Sequence, residues 1–187
     1  AYTFIQQARL ENGKQHLKIS DLAFVDGGAG KRLLSLLADF SMMADKVSLF
    51  GAVTNPLGAM LPLSSFTTSM QHEWMVRIIR FKDAIERRGY PRSVRAEFDV
   101  ELTDDVVSEN AGRWTVRIAE GSSKCAKSDG GARPCVRASI GGFAPVYTGY
   151  LTASAARIVG LIECDDDAAA CVDGVFGPDL PSMVDFF

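Results

Sequence analysis

The residues best suited by type and spacing to do chemistry form a short glycine-rich turn. Residues 27–32 read GGAGKR and follow an apolar run that ends at Val25. Backbone amides at a helix N-terminus, together with two cations, can hold a pyrophosphate. The spacing is neither that of a Walker loop nor that of a dinucleotide fingerprint. The turn therefore predicts either phosphate binding at Gly28, Gly30 and Lys31 or a turn that only reverses the chain.

Other reactive residue types are sparse. The two histidines, His16 and His72, lie in separate segments, and the chain has no Gly-x-Ser-x-Gly motif, so neither a serine triad nor a histidine-rich metal site is indicated. The four cysteines lack the Cys-x-x-Cys pairs of a structural zinc site. The acidic residues 165–167 stand directly before a helix-forming run, where their negative charges interact favourably with the helix dipole. We interpret them as a helix cap and predict no metal.

Composition excludes several classes of partner. The chain has 187 residues, of which 47% are hydrophobic, enough for the core of one large domain or two small ones. A net charge of -3 with scattered basic residues argues against nucleic acid. No apolar run approaches the roughly 20 residues of a membrane span, and no signal peptide is evident. We expect a soluble, cytoplasmic protein with no membrane partner.

The glycine turn lies within a predicted α/β unit. Asn12-Gly13 between apolar runs favours a two-residue hairpin turn between antiparallel strands. The apolar phase of the second strand then shifts, which predicts a bulge near Ser20 or Asp21. Apolar residues at positions 33, 36, 37 and 40 share one helical face, and residues 46–52 are typical of a strand. This order suits a crossover between parallel strands.

A second unit follows the aperiodic residues 54–72, which mix Pro, Gly, Ser and Thr. We divide the chain into residues 1–62 and 63–187. The pattern predicts a strand at 73–81, a short helix at 82–91, and two paired half-buried strands whose outer faces are acidic and basic. A further strand at 136–140 would extend this antiparallel sheet. Helices capped by Thr152 and by the acidic residues 165–167 come last.

Four segments occur in an order that resembles a known family. They are WMVRIIRFKDAIERRGYP (74–91), NAGRWTVRI (110–118), YTGYLTASAARIVGLI (147–162) and DGVFGPDLPSMVDFF (173–187). The order is similar to that in the C-terminal domain of enhanced intracellular survival acetyltransferases, where a sterol-carrier-like domain follows two GNAT folds. Residues 1–53 resemble the core of the second GNAT fold, although Val25 stands where the GNAT turn usually has Arg or Gln.

This resemblance implies an α+β fold. A partial, degenerate GNAT-like α/β unit would be followed by a sterol-carrier-like antiparallel sheet with short helices. It also implies that the chain is the C-terminal portion of the enzyme. The first GNAT domain, which carries the working acetyl-CoA site and a general-acid tyrosine, is not among these residues. The start at Ala1, inside a predicted strand and without a methionine, is typical of a chain whose natural N-terminus has been removed.

The same resemblance implies a function in acetyl-CoA-dependent acetylation of an amine substrate. In the family the terminal carboxylate enters the active site and helps to deprotonate the amine. This assigns a catalytic role to the α-carboxylate of Phe187 and a substrate-binding role to Phe186 and Asp185. Gly28, Gly30 and Lys31 correspond to the cofactor turn. We expect a homo-oligomer.

Two alternatives remain open. The terminal phenylalanines could simply pack an apolar tail into the sheet. Several aromatic residues could line a space for an apolar ligand, as in a non-catalytic sterol-carrier-like module, or could form an ordinary core. These residues are Trp74, Phe98, Trp114, Phe143, Tyr147 and Tyr150.

Overall fold

The computed structural model describes residues 1–10, 12–51, 55–69, 74–177 and 181. Within this part the chain forms two compact units, residues 1–71 and 72–181. The first contains a three-stranded sheet and the second a five-stranded sheet, each accompanied by helices. The fold is therefore α+β, as the sequence predicts. No helix of the described residues is both long and apolar enough to span a bilayer.

The first unit is a small sheet with one crossover helix. Its elements are β1 (Tyr2–Arg9), β2 (Gln15–Ala23), α1 (Gly27–Asp39) and β3 (Ala44–Leu49). β1 and β2 are antiparallel, whereas β2 and β3 are parallel, which confirms the predicted crossover. The hairpin connection covers residues 10–14 instead of two residues. Two short 3₁₀ turns, Gly58–Met60 and Leu63–Ser65, follow the sheet.

The predicted bulge lies at Ser20. Phe4 pairs with Asp21, but the next residue, Ile5, pairs with Ile19, so Ser20 has no partner in β1. An extra residue of this kind bends its strand and increases the local twist. The end of β2 therefore diverges from the regular ladder just before the glycine turn.

In the described part of the second unit, four α-helices and one 3₁₀ turn accompany the five-stranded sheet. Its elements are α2 (Phe81–Arg87), β4 (Ala96–Thr103), a 3₁₀ turn (Ser108–Asn110), β5 (Gly112–Ala119), β6 (Ser122–Lys127), β7 (Cys135–Ser139), α3 (Ile140–Thr148), α4 (Ala153–Ile158), β8 (Ile162–Glu163) and α5 (Asp166–Phe176). The strand order is β6-β5-β4-β7-β8.

The pairing of β4 and β5 is the predicted one. Alternate residues Phe98, Val100 and Leu102 are buried, and on the other face Arg117 forms an ion pair of 3.1 Å with Glu97. β7 differs from the prediction because it is parallel to β4, not antiparallel. Residues 128–134 connect β6, at one edge of the sheet, to β7, which lies on the far side of β4. Because this connection crosses β5 and β4, β7 runs parallel to β4, whereas a hairpin would have made neighbouring strands antiparallel.

The predicted strand at 73–81 is wrong for residues 74–80, which belong to no strand. Side-chain hydrogen bonds, rather than pairing with a neighbouring strand, hold this segment in position. Asn110 accepts a hydrogen bond from the Phe81 amide at 2.8 Å and donates to the Ile79 carbonyl at 3.0 Å. Arg77 donates to Asp104 at 2.6 Å. Because the backbone groups at positions 79 and 81 have side-chain partners, the segment satisfies them without strand pairing.

Both predicted caps are confirmed. The Asp165 carboxylate accepts from the Ala168 amide at 2.7 Å, and the Thr152 hydroxyl accepts from the Ala155 amide at 3.0 Å. The helix α3 is not evident from the sequence pattern, because it contains two glycines and Pro145. Gly142 is required there by close packing, since a Cβ at this position would lie 2.3 Å from the Leu161 carbonyl oxygen.

Candidate functional site

A cleft opens where two parallel strands of the first unit separate. β2 and β3 pair up to Ile19 and Leu49, but β2 continues beyond this point. The bulge at Ser20 turns its end away. The cleft has a volume of about 340 Å³ and is lined by residues 20–24 and 49–51 together with Asn55 and Pro56. Ligands of α/β sheets commonly bind beyond the carboxyl ends of parallel strands.

The glycine turn is the beginning of α1. Gly28, Gly30 and Lys31 lie in the first turns of this helix, directly after β2. The Asp26 carboxylate caps the helix and accepts from the Ala29 amide at 2.8 Å. A cap of this kind satisfies one free amide and places a negative charge beside those that remain. The negative charge of Asp26 thus partly offsets the positive charges of the exposed Lys31 and Arg32 at the point where a pyrophosphate would bind.

Gly30 has a packing role in the first unit. It is buried, and a Cβ at this position would lie 2.8 Å from the Met60 sulfur and 3.2 Å from the Phe24 ring. The glycine therefore allows Met60 and Phe24 to approach the helix backbone. Lys31 is exposed.

The structure adds a contact that the sequence did not indicate. His16 Nε2 lies 2.7 Å from the Ser48 hydroxyl, across the parallel pair β2 and β3. Burial lowers the pKa of His16, and the charges of Lys46 and Lys18 lower it further. The imidazole is therefore neutral at pH 7. His16 precedes the cleft-lining Ser20 by four residues, about 13 Å along a strand.

The predicted tail residues Asp185, Phe186 and Phe187 lie outside the described residues. The aromatic residues of the second unit are within them. Phe143 contacts Phe81 and Phe176 edge to face, with ring centroids 5.7 and 5.8 Å apart. These rings fill the space between the sheet and the helices. Of the remaining candidates for a ligand cavity, Phe98 and Trp114 belong to the same core and Tyr147 packs against it. Trp74 and Tyr150 are 41% and 61% exposed.

A buried carboxylate lies on the opposite face of the second sheet. Asp99 accepts hydrogen bonds from Thr115 at 2.7 Å, Arg113 at 2.8 Å, Ser128 at 2.9 Å and Arg133 at 3.1 Å. Burial alone would raise the pKa of Asp99, but the hydrogen bonds outweigh it and hold the pKa below its usual range. Because Ser128 and Arg133 are among its partners, Asp99 anchors residues 128–134 to β4.

Comparison with known proteins relates residues 81–184 to a sequence family and the whole chain to solved structures. The sequence model of the family described as "Sterol carrier protein domain" matches residues 81–184, more than half of the chain. The chain belongs to the sterol carrier protein domain family. Its sterol carrier protein domain thus corresponds to α2 and the five-stranded sheet with its helices. A search of curated proteins gives no match.

Solved structures resemble the whole chain. A GCN5-related N-acetyltransferase from Anabaena variabilis is 30% identical with a TM-score of 0.89, covering 100% of this chain and 47% of that one. A GCN5-related N-acetyltransferase from Kribbella flavida is 22% identical with a TM-score of 0.81, covering 99% and 46%. Eis1 from Mycobacterium abscessus is 16% identical with a TM-score of 0.71, covering 93% and 45%. The chain spans about half the length of these structures.

Proposed function

We propose that this chain is the C-terminal region of an acetyl-CoA-dependent N-acetyltransferase of the enhanced intracellular survival type. The observation that carries the proposal is the 30% identity to the Anabaena N-acetyltransferase over 100% of this chain. The sterol carrier protein domain at residues 81–184 supports it, because such a domain follows the GNAT folds in that class. The working acetyl-CoA site would lie on protein outside these residues, and the complete enzyme would be a homo-oligomer.

In this proposal the end of the chain completes the acceptor site. Acetylation requires a neutral amine as nucleophile, and the α-carboxylate of Phe187 would accept its proton. A free α-carboxyl has a pKa of about 3.5, so it needs burial or a relaying water to act as an efficient base. The apolar sequence VDFF (184–187) would supply such surroundings. Asp185 and Phe186 would border the amine.

The tail can be tested in the complete natural polypeptide by steady-state acetylation kinetics. Deleting Phe186 and Phe187 should lower kcat by about 10²-fold or more, in line with the loss of general-base catalysis. Phe187→Leu keeps the terminal carboxylate and should retain most of the activity. Two added C-terminal glycines keep both phenylalanines but move the carboxylate, and should act like the deletion. Unchanged turnover in the deletion variant excludes a catalytic tail.

Acetyl-CoA binding by this chain is a separate proposal. Gly28, Gly30 and Lys31 lie in the first turns of α1, which follows the cleft-lining end of β2, and backbone amides with Lys31 would hold the pyrophosphate. We expect the affinity for acetyl-CoA to be low, because the Asp26 carboxylate offsets positive charge at this turn and Met60 lies close to Gly30. Calorimetric titration of the intact chain with acetyl-CoA tests it. Lys31→Ala should abolish the heat, whereas Asp39→Ala, at the far end of α1, should not. No heat from the unmodified chain rules the site out.

The alternative function is a module that binds an apolar ligand, which the sterol carrier protein family match favours. Displacement of a fluorescent fatty acid tests it. Because aromatic rings occupy the interior of the domain, the unmodified chain should show no saturable binding. Phe143→Ala would open a cavity and serves as a positive control. Saturable one-to-one binding by the unmodified chain would support the alternative.

A further inference from the structure

Arg88, directly after α2 in the second unit, is held in a fixed position by aromatic residues. Its guanidinium carbon lies 5.1 Å from the Tyr147 ring centroid and 5.3 Å from that of Phe176. The guanidinium also donates a hydrogen bond to the Tyr147 carbonyl oxygen. The Tyr147 hydroxyl in turn donates to the Ala84 carbonyl at 3.0 Å. These contacts orient the guanidinium before any ligand binds.

The charge of Arg88 has no counterion within the described ranges. A guanidinium has five N–H donors, and one contact to a carbonyl leaves most of them available. Several other arginines of the second unit pair with a carboxylate, among them Arg113 with Asp99 at 2.8 Å, Arg133 with Asp99 at 3.1 Å, Arg137 with Glu101 at 3.0 Å and Arg157 with Asp166 at 2.7 Å. Arg88 differs from them because it combines partial burial with a free charge.

Two further cations flank Arg88 in the chain. Arg87 and Arg92 are exposed, and neither has a carboxylate partner in the described part of the chain. Both lie within four residues, or about 14 Å of extended backbone, of Arg88. The C-terminus of α2 contributes a partial negative charge of about 0.5, which three full positive charges exceed. The two carboxylates of residues 80–92, Asp83 and Glu86, pair with Arg80 and Lys82. This segment therefore has an excess of positive charge, although the chain as a whole carries a net charge of -3.

We propose that Arg88 is the anchor of an anion site that binds a phosphate group of a small molecule, with Arg87 and Arg92 supplying additional positive charge. A planar guanidinium presents paired donors that match the oxygens of phosphate. A phosphate monoester carries nearly two negative charges at pH 7, which suits three neighbouring cations better than one carboxylate does. The phosphate can come from the free ion or from a small phosphate monoester.

Calorimetric titration of the intact chain at low salt tests this site with two probes, inorganic phosphate and O-phosphoserine. Arg88→Gln should weaken binding by about tenfold or more, since it removes a charge-assisted hydrogen-bonding group. Arg88→Lys keeps the charge but not the planar fork, so it should also weaken binding. Arg80→Gln is the matched control, because it removes the same charge from the other end of α2, and its affinity should be unchanged. Stronger binding of phosphoserine would identify a monoester as the ligand, and equal or weaker binding the free ion.

A second measurement covers the case in which Arg88→Gln disturbs the fold. In NMR spectra of the unmodified chain, the Arg88 Nε–H resonance should shift and saturate as inorganic phosphate is added. The Arg80 resonance should not. The inference fails if Arg80→Gln weakens binding as much as Arg88→Gln. It also fails if the unmodified chain shows no saturable phosphate binding up to about 10 mM.

Discussion

The two units differ in the size of the apolar core that each encloses. In the second unit, both helices and sheet contribute to one continuous core that includes Phe81, Phe98, Phe143 and Phe176. Among the described residues of the first unit, the buried large apolar side chains are Leu17, Ile19, Leu33 and Leu57. Tyr2, Phe4, Leu36, Met42, Met43 and Val47 are 41–88% exposed there. The second unit also exposes apolar side chains, such as Met75 and Ile158, so the difference lies in the enclosed core, which is much larger in the second unit.

The units also differ in where they place charge. The second unit buries a carboxylate, Asp99, and satisfies it with four side chains. In the first unit, Lys14 and Asp45 pair at 2.7 Å with side chains 50% and 37% exposed. Exposed pairs contribute little because water screens them, but removing one partner of a buried network leaves an uncompensated charge. The second unit should therefore depend far more on single residues.

The largest effect is expected from the core of the second unit. Phe143→Ala removes a ring that contacts Phe81 and Phe176, and should lower the free energy of unfolding by about 3–5 kcal/mol. Tryptophan fluorescence in urea measures this, because both tryptophans, Trp74 and Trp114, lie in the second unit. Leu33→Ala in the first unit should leave that transition unchanged. A similar shift in both variants would show that the two units unfold together.

Loss of the buried carboxylate should have the next largest effect. Asp99→Ala leaves Arg113 without its carboxylate partner and removes one of the carboxylates that pair with Arg133, and it should cost about 3 kcal/mol in the same urea experiment. Thr115→Val is a useful comparison, because it removes one neutral hydrogen bond to Asp99 and should cost about 1 kcal/mol. A cost for Asp99→Ala no larger than that for Thr115→Val would contradict the structural role of this cluster.

Acidification should weaken the first unit before the second. The pKa of folded His16 is lowered from an unfolded value of about 6.5, so the unfolded state binds more protons between the two values. Stability of the first unit is thus lost as the pH falls from about 6.5 through the folded pKa. In the second unit the pKa values of Glu86, Asp99 and Asp104 are also lowered from their ordinary values, so this unit loses stability only below about pH 4.5.

Hydrogen exchange of the backbone amides, followed between pH 7 and 4, separates these two responses. After correction for the intrinsic pH dependence of exchange, protection in β2 and β3 should fall before that in β4 and β5. His16→Gln should remove the His16 contribution in the first unit and leave the second unchanged. Parallel loss of protection in both units would mean that His16 does not govern the early response.

The smallest effect is expected for the exposed pair of the first unit. Asp45→Asn removes the charge that pairs with Lys14 and should leave amide protection in β2 and β3 unchanged at physiological salt, because exposed ion pairs are screened. A clear loss of protection would indicate that this unit, too, depends on its charged groups.

Local interactions made much of the fold predictable. The alternation in β4 and β5, the phase shift at Ser20 and the caps at Thr152 and Asp165 involve residues close together in the chain or a simple period, so the sequence shows them directly. The candidate glycine turn is visible in the sequence for the same reason. The packing around Gly30 is not predictable from the sequence, because Met60 reaches Gly30 from a different segment.

The remaining features of the fold depend on contacts between segments that are far apart in the chain. The parallel pairing of β7, the contact of His16 with Ser48 and the enclosure of Asp99 join residues 14 to 36 positions apart. The helix α3 exists despite its glycines because Gly142 fits against Leu161. Sequence thus determined the elements and their buried faces, since periodicity and capping act within a few residues. Tertiary structure decided strand direction and side-chain partners, since these depend on the path of the chain between elements.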